Sequence, residues 1–166
     1  MRKIGRAAIT SLILASLFSA WGMAGPDRLA AMQAEYDHES DAVRKAKDLA
    51  KLQPDEFEFV RDKLSAGDEE GALQELQHFR DEVAATLTAL RPLAPKAESH
   101  PDGFKELQIS LREALREMDT IIFGLPVDKR PWFREVRSDL QDSQNALIDI
   151  LFPRQPVKQT GKNSPQ

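Results

Sequence analysis

Apolar residues recur every three or four positions along most of this 166-residue chain, which is the spacing of a helix that buries one face. No stretch alternates apolar and polar residues in the way that a half-buried strand does. The pattern predicts five helical segments, at about residues 27–52, 54–65, 69–91, 102–123 and 129–152. The chain is therefore expected to be all-α.

Proline and glycine residues mark the boundaries between these segments. Pro54 is expected to end the first segment, because proline has no N–H to donate inside a helix. Gly67 suits the left-handed conformation that closes a helix, and Asp68 suits the N-cap of the next one. Residues 92–101 contain three prolines and are expected to form the longest internal loop.

The helical spacing continues over several turns in each long segment, which favours helices that pack at shallow angles. We therefore expect an antiparallel four-helix-type bundle that covers residues 25–152. Its four long helices are the first, third, fourth and fifth segments. The short segment 54–65 is expected to be an extra helix at one corner of the bundle.

The first 24 residues have the composition of a secretory signal peptide. Three basic residues precede an apolar run over residues 7–20, and the small residues Gly22 and Ala24 follow it. Crossing a bilayer takes about 20 apolar residues, and this run is shorter. We therefore expect cleavage after Ala24 and an exported protein, either periplasmic or secreted. If the segment were retained, it would instead tether the bundle to the membrane.

Charge and cysteine content narrow the possible partners. Six of the 23 Lys and Arg residues lie within residues 1–24 or after Phe152, whereas all 27 acidic residues lie between, which leaves the bundle with a formal charge of −10. Such a surface repels phosphate backbones, so we expect no nucleic-acid partner. The chain has no cysteine, which excludes disulfides and thiolate metal ligands. The composition of residues 153–166, which are rich in Gln, Pro and Lys, predicts a disordered basic tail.

Two stretches place a glutamate three residues before a histidine: Glu35 with His38, and Glu75 with His78. In ferritin-like di-iron proteins, a Glu-x-x-His pair lies on each of two helices and points inward. At about 100° per residue, however, each histidine here lies about 200° around its helix from the apolar residue two positions earlier. We therefore expect both imidazoles to face solvent, and a carboxylate-bridged metal enzyme is the alternative function.

Glu39 is the one acidic residue predicted to lie on an apolar stripe. A buried carboxylate is costly unless it is paired, so such positions sometimes serve a function. We expect a structural role here, in which the side chain reaches the rim of the bundle and pairs with an arginine of a facing helix.

Basic and aromatic residues are concentrated at the start of the last segment, in the cluster Lys129, Arg130, Trp132, Arg134 and Arg137. Such a mixture can bind an anionic partner. It is also typical of a helix end where aromatic side chains cover the core. The cluster is therefore a candidate partner-binding surface, and the loop 92–101 is a second candidate contact region.

The chain contains no HExxH zinc site, no GxSxG elbow, no P-loop and no GxGxxG turn. We therefore expect a small exported helical protein that is not an enzyme, uses no cofactor and acts through contacts with an envelope protein or an anionic envelope surface. Self-association is left open by the sequence.

Overall fold

The structure, a computed structural model, describes residues 26–153. Its regular secondary structure over this range is helical, which confirms the all-α prediction. The five α-helices are α1 (Pro26–His38), α2 (Ala42–Ser65), α3 (Glu69–Leu90), α4 (Phe104–Gly124) and α5 (Arg130–Leu151), and a 3₁₀ helix (Arg91–Lys96) follows α3. The predicted signal peptide and the predicted tail after Pro153 lie outside the described residues.

The first helix boundary lies near Glu39 and not at Pro54. Helix α1 ends at His38, and α2 continues through Pro54 to Ser65. Asp41 starts α2 by accepting a hydrogen bond of 2.9 Å from the backbone N–H of Arg44. Pro54 is tolerated on an exposed position, where water can replace its missing N–H donor. The prediction of one helix over 27–52 and a short helix over 54–65 was therefore wrong.

The four long helices form a ring in the order α2, α3, α5, α4. Short turns join α2 to α3 and α4 to α5, so each of these hairpins is antiparallel, as was predicted for α4 and α5. Residues 91–103 cross one end of the bundle diagonally, and neighbouring helices from different hairpins consequently run parallel. Ion pairs show this direction for α2 and α4: Lys47 meets Asp102 near their starts, and Arg61 meets Glu117 near their ends. The predicted antiparallel arrangement therefore holds within each hairpin but not between the two hairpins.

The core lies inside this ring and is built from the predicted apolar stripes. Phe57 of α2 and Phe79 of α3 are fully buried and pack edge to face, with ring centroids 5.5 Å apart. The other large side chains that are fully buried come from all four long helices and are Leu49, Leu52, Leu76, Leu90, Phe104, Leu107, Leu111, Met118, Phe133 and Leu140.

Gly103 closes the crossover where α4 begins. Its φ of +81° lies in the left-handed region, and a Cβ atom there would lie 3.1 Å from Val43 Cα and 3.2 Å from Leu90 Cδ2. We expect Gly103→Ala to lower the free energy of unfolding by about 2 kcal/mol, measured by urea denaturation. Gly124→Ala is the matched control, because a Cβ atom at Gly124 meets nothing within 4 Å. Equal stability of the two variants would contradict this account.

Helix α1 forms an additional layer on the α2–α3 hairpin. The Tyr36 hydroxyl donates a hydrogen bond of 3.1 Å to the backbone carbonyl of Glu82 in α3. Leu29 of α1 and Phe59 of α2 line one pocket. Arg61 of α2 forms an ion pair with Glu117 of α4. Because Arg61 follows Phe59 by two residues, the two side chains leave α2 in directions about 200° apart. The α2–α3 hairpin is therefore covered by α1 on one face and by the α4–α5 hairpin on the other.

Candidate functional site

Exposed apolar side chains are concentrated at the turn between α4 and α5. Of six large hydrophobic residues that are exposed within residues 26–153, three lie in this short stretch: Phe123 (84% exposed), Val127 (75%) and Trp132 (52%). Single exposed apolar residues are ordinary, whereas a cluster of them marks an interaction site. We call Phe123, Val127 and Trp132, together with Lys129 and Arg134, the turn surface.

Arg130 holds this turn in place. Its Nε donates to the backbone carbonyl of Leu125 at 2.9 Å, and its Nη2 donates to the carbonyl of Phe123 at 3.0 Å. These carbonyls belong to the end of α4, where the helix leaves backbone acceptors without intrahelical partners. Pro131 then fixes the backbone at the start of α5. The apolar side chains of the turn surface therefore project from an ordered backbone.

The predicted basic cluster divides into structural and outward-facing residues. Arg137 donates two hydrogen bonds to the carboxylate of Asp119, at 2.5 and 3.1 Å, and its guanidinium lowers the pKa of Asp119. Arg130 binds α4 as described above. Lys129 has its Nζ 5.9 Å from the centre of the Trp132 ring, and Arg134 is exposed. Three of the five predicted residues thus remain available to a partner.

Acidic residues border the turn surface on one side. Glu69 and Glu70, in the first turn of α3, line a groove of about 320 Å³ with Lys129 and Trp132. The apolar centre of the turn surface is consequently flanked by charges of both signs. The sequence cluster of basic and aromatic residues contained no acidic residue, so this acidic border was not predicted.

A pair of buried glutamates, which sequence reasoning missed, lies beneath α1. Glu56 of α2 and Glu82 of α3 are both buried. Burial, followed by the charge of Glu82 and a hydrogen bond to it, raises the pKa of Glu56 to about 9. Gln33 of α1 donates a hydrogen bond to Glu82 Oε1, and His78 Nε2 lies 3.3 Å from the same oxygen. Glu56 therefore keeps its proton at neutral pH.

Tyr36 completes the polar contacts of α1 near this pair. Its hydroxyl hydrogen-bonds to Thr86 Oγ1 at 2.9 Å, and burial raises its pKa to about 12. Tyr36 therefore stays protonated and continues to donate to α3 under ordinary conditions.

Of the two predicted Glu-x-x-His pairs, only one adjoins the buried glutamates. Glu75 and His78 line a pocket of about 220 Å³ with Glu56. Glu35 and His38 are exposed on α1, and His38 Nδ1 hydrogen-bonds to the carbonyl of Ala34 at 2.6 Å. Both imidazoles are exposed, as predicted. Within residues 26–153, no three His, Asp or Glu side chains are placed to hold one metal ion.

Glu39 has a structural role, but its arginine belongs to the next helix and not to a facing one. Its carboxylate accepts hydrogen bonds from Arg44 Nε and from the backbone N–H of Asp41, both at 2.7 Å. The hydrogen bond from Arg44, followed by that from Asp41, lowers the pKa of Glu39 to about 2. Glu39 thus joins the end of α1 to the start of α2.

No protein-family model, curated protein or solved structure matches this chain. Among the residues described, no helix is long and apolar enough to cross a membrane.

Proposed function

We propose that this protein is a non-catalytic interaction module of the cell envelope and that it binds its partner through the turn surface. The observation that carries the proposal is the concentration of Phe123, Val127 and Trp132 at one end of a bundle whose large apolar side chains are otherwise mostly buried. Export to the envelope is expected from the composition of residues 1–24.

The composition of the turn surface favours a protein partner over a uniformly anionic surface. Aromatic residues and arginine are enriched at the centres of protein interfaces, and Trp132 and Arg134 supply both types. Glu69 and Glu70, on the border of this surface, would repel anionic headgroups. The backbone is also held by Arg130, so little conformational entropy is lost on binding.

The test is capture of an envelope partner by the chain from Gly25 onward, which contains every core residue. We expect wild-type protein to form a saturable complex with a discrete envelope protein. Replacing Phe123, Trp132 and Arg134 by serine should weaken that complex at least tenfold, because interface centres contribute most of the affinity. Binding is measured by titration of the isolated partner.

The matched control is Ile148→Ser, which removes an exposed apolar side chain of α5 that lies outside both the turn surface and residues 92–101. This control should bind as the wild type does. Equal weakening by both sets of changes, or unchanged binding by the triple variant, would contradict the proposed surface. Binding of vesicles or of a second copy in place of an envelope protein would contradict the proposed partner.

A further inference from the structure

A second surface lies at the opposite end of the bundle, where α5 ends and the crossover meets α4. It is a groove of about 930 Å³, which is within the usual size range of small-molecule sites. Its walls are the crossover, the first turns of α4 and the end of α5, and the lining residues that would contact a ligand include Glu98, Lys105, Gln108, Ile109, Arg112 and Phe152.

The apolar part of this groove includes an aromatic residue that the bundle leaves uncovered. Phe152 is 72% exposed, whereas Ile109 and Leu151 are half-buried beside it. Leaving these side chains in water is unfavourable, and an apolar ligand would remove them from it. The groove therefore favours a ligand that has a hydrocarbon part.

The charged part of the groove is positive, although the bundle as a whole is strongly acidic. Lys105 and Arg112 lie seven residues apart on α4, which places them about 10 Å apart along the helix, with Gln108 between them. Neither of the two cations forms an ion pair with another residue in the range 26–153. Glu98 is the single acidic residue of the lining.

We propose that this groove binds a single-chain anionic amphiphile. Its hydrocarbon chain packs on Ile109, Leu151 and Phe152, and its carboxylate or phosphate head pairs with Lys105 and Arg112. The apolar walls of the groove suit the hydrocarbon chain of such a ligand, and Lys105 and Arg112 suit its anionic head. A neutral lipid would have no group to pair with these two cations. The inference is independent of the proposed function, because the groove and the turn surface lie at opposite ends of the bundle.

The test is isothermal titration of the chain from Gly25 onward with octanoate, decanoate and 1-octanol. Each additional buried methylene should strengthen binding by about fourfold, so decanoate, with two more methylenes, should bind about fifteenfold more tightly than octanoate. Octanoate should in turn bind at least tenfold more tightly than 1-octanol, because only the carboxylate pairs with the two cations.

The double variant Lys105→Gln with Arg112→Gln should lose at least tenfold in decanoate affinity. Both side chains are exposed, so the variant should keep the wild-type helical circular dichroism. Arg116→Gln is the matched control, because it removes one exposed cation of the same helix that does not line the groove, and it should leave the affinity unchanged. Equal decanoate affinity for the double variant, or equal binding of octanoate and 1-octanol, would overturn the proposal.

A second experiment distinguishes a free fatty acid from a membrane phospholipid as the source of the anionic head. Vesicles of phosphatidylglycerol in phosphatidylcholine are sedimented with wild type and double variant. Binding of decanoate without binding of vesicles assigns the groove to a free fatty acid. Binding of both ligands, with both lost in the double variant, assigns it to anionic headgroups as well. Binding of neither ligand overturns the proposal.

Discussion

Between pH 5 and pH 8, the free energy of unfolding should decrease as the pH rises, because Glu56 keeps its proton only in the folded protein. The folded-state pKa of Glu56 is about 9, above the ordinary value of 4.5. Within this interval the folded state binds one more proton than the unfolded state, so stability falls by up to about 1.4 kcal/mol per pH unit. The contribution is complete below pH 4.5 and is lost by about pH 9. Urea denaturation at several pH values measures the slope.

The carboxylates whose pKa values are lowered do not contribute to the fall in unfolding free energy between pH 5 and pH 8. Glu39, whose pKa is about 2, and Asp119 lose stabilising contacts only as the pH falls below the ordinary carboxyl range. Both are ionised in the folded and unfolded states throughout pH 5–8. The loss of stability with rising pH in this interval is therefore assigned to Glu56.

Glu56→Gln should remove most of this slope. The amide has the shape of the protonated acid and is uncharged as that acid is, but it does not titrate. At pH 8 the variant should be more stable than wild type by about 4 kcal/mol, and at pH 5 the two should be similar. Glu58→Gln, an exposed change on the same helix, should keep the wild-type slope. A Glu56→Gln variant with an unchanged slope would refute the assignment.

Phe57→Ala should lower the free energy of unfolding by about 3–5 kcal/mol. The ring is completely buried and packs edge to face on Phe79, so its removal leaves a cavity between α2 and α3. The measurement is urea denaturation at one fixed pH, with the slope of the transition compared between variants.

Phe59→Ala provides the control for this change, because Phe59 is two residues away on α2 and only partly buried. Its loss should be clearly smaller, since less apolar area leaves the interior. Equal losses of unfolding free energy for the two variants would show that Phe57 is no more deeply buried in the core than Phe59.

The apolar stripes predicted the helical fold because a helix that buries one face has apolar residues at every third or fourth position of its sequence. The boundary between α1 and α2 was missed for a local reason. Pro54 suggested a break, whereas its exposed position allows α2 to continue. Glu39 interrupted the first stripe at the true boundary, and Asp41 supplied a cap that propensity rules can recognise.

The buried glutamates could not be predicted in the same way. Glu56 directly precedes Phe57, and Glu82 directly precedes Val83, so each glutamate lies at the edge of an apolar stripe. A side chain at such an edge is normally exposed to water. Their burial depends on α1, which covers this face of the α2–α3 hairpin. A contact made by a separate helix leaves no periodic signal within α2 or α3.

The candidate site was only partly visible in sequence. Composition identified Lys129, Trp132 and Arg134, but it also included Arg130, whose guanidinium binds the end of α4. Phe123 and Val127 were not singled out, although one signal existed. Phe123 lies off the stripe of the fourth segment, and Val127 stands alone in a turn, so neither has a place in the core.

The layered position of α1 has a topological consequence for the start of the chain. Because α1 rests on the outside of a ring that closes without it, Pro26 enters the molecule from its periphery. Proteolytic trimming of the residues before Pro26 therefore acts first on the outermost helix, whose Gln33 and Tyr36 bind α3. A change there that displaced α1 would expose Glu56 and Glu82 to water, while the four long helices would keep the contacts that they make with one another.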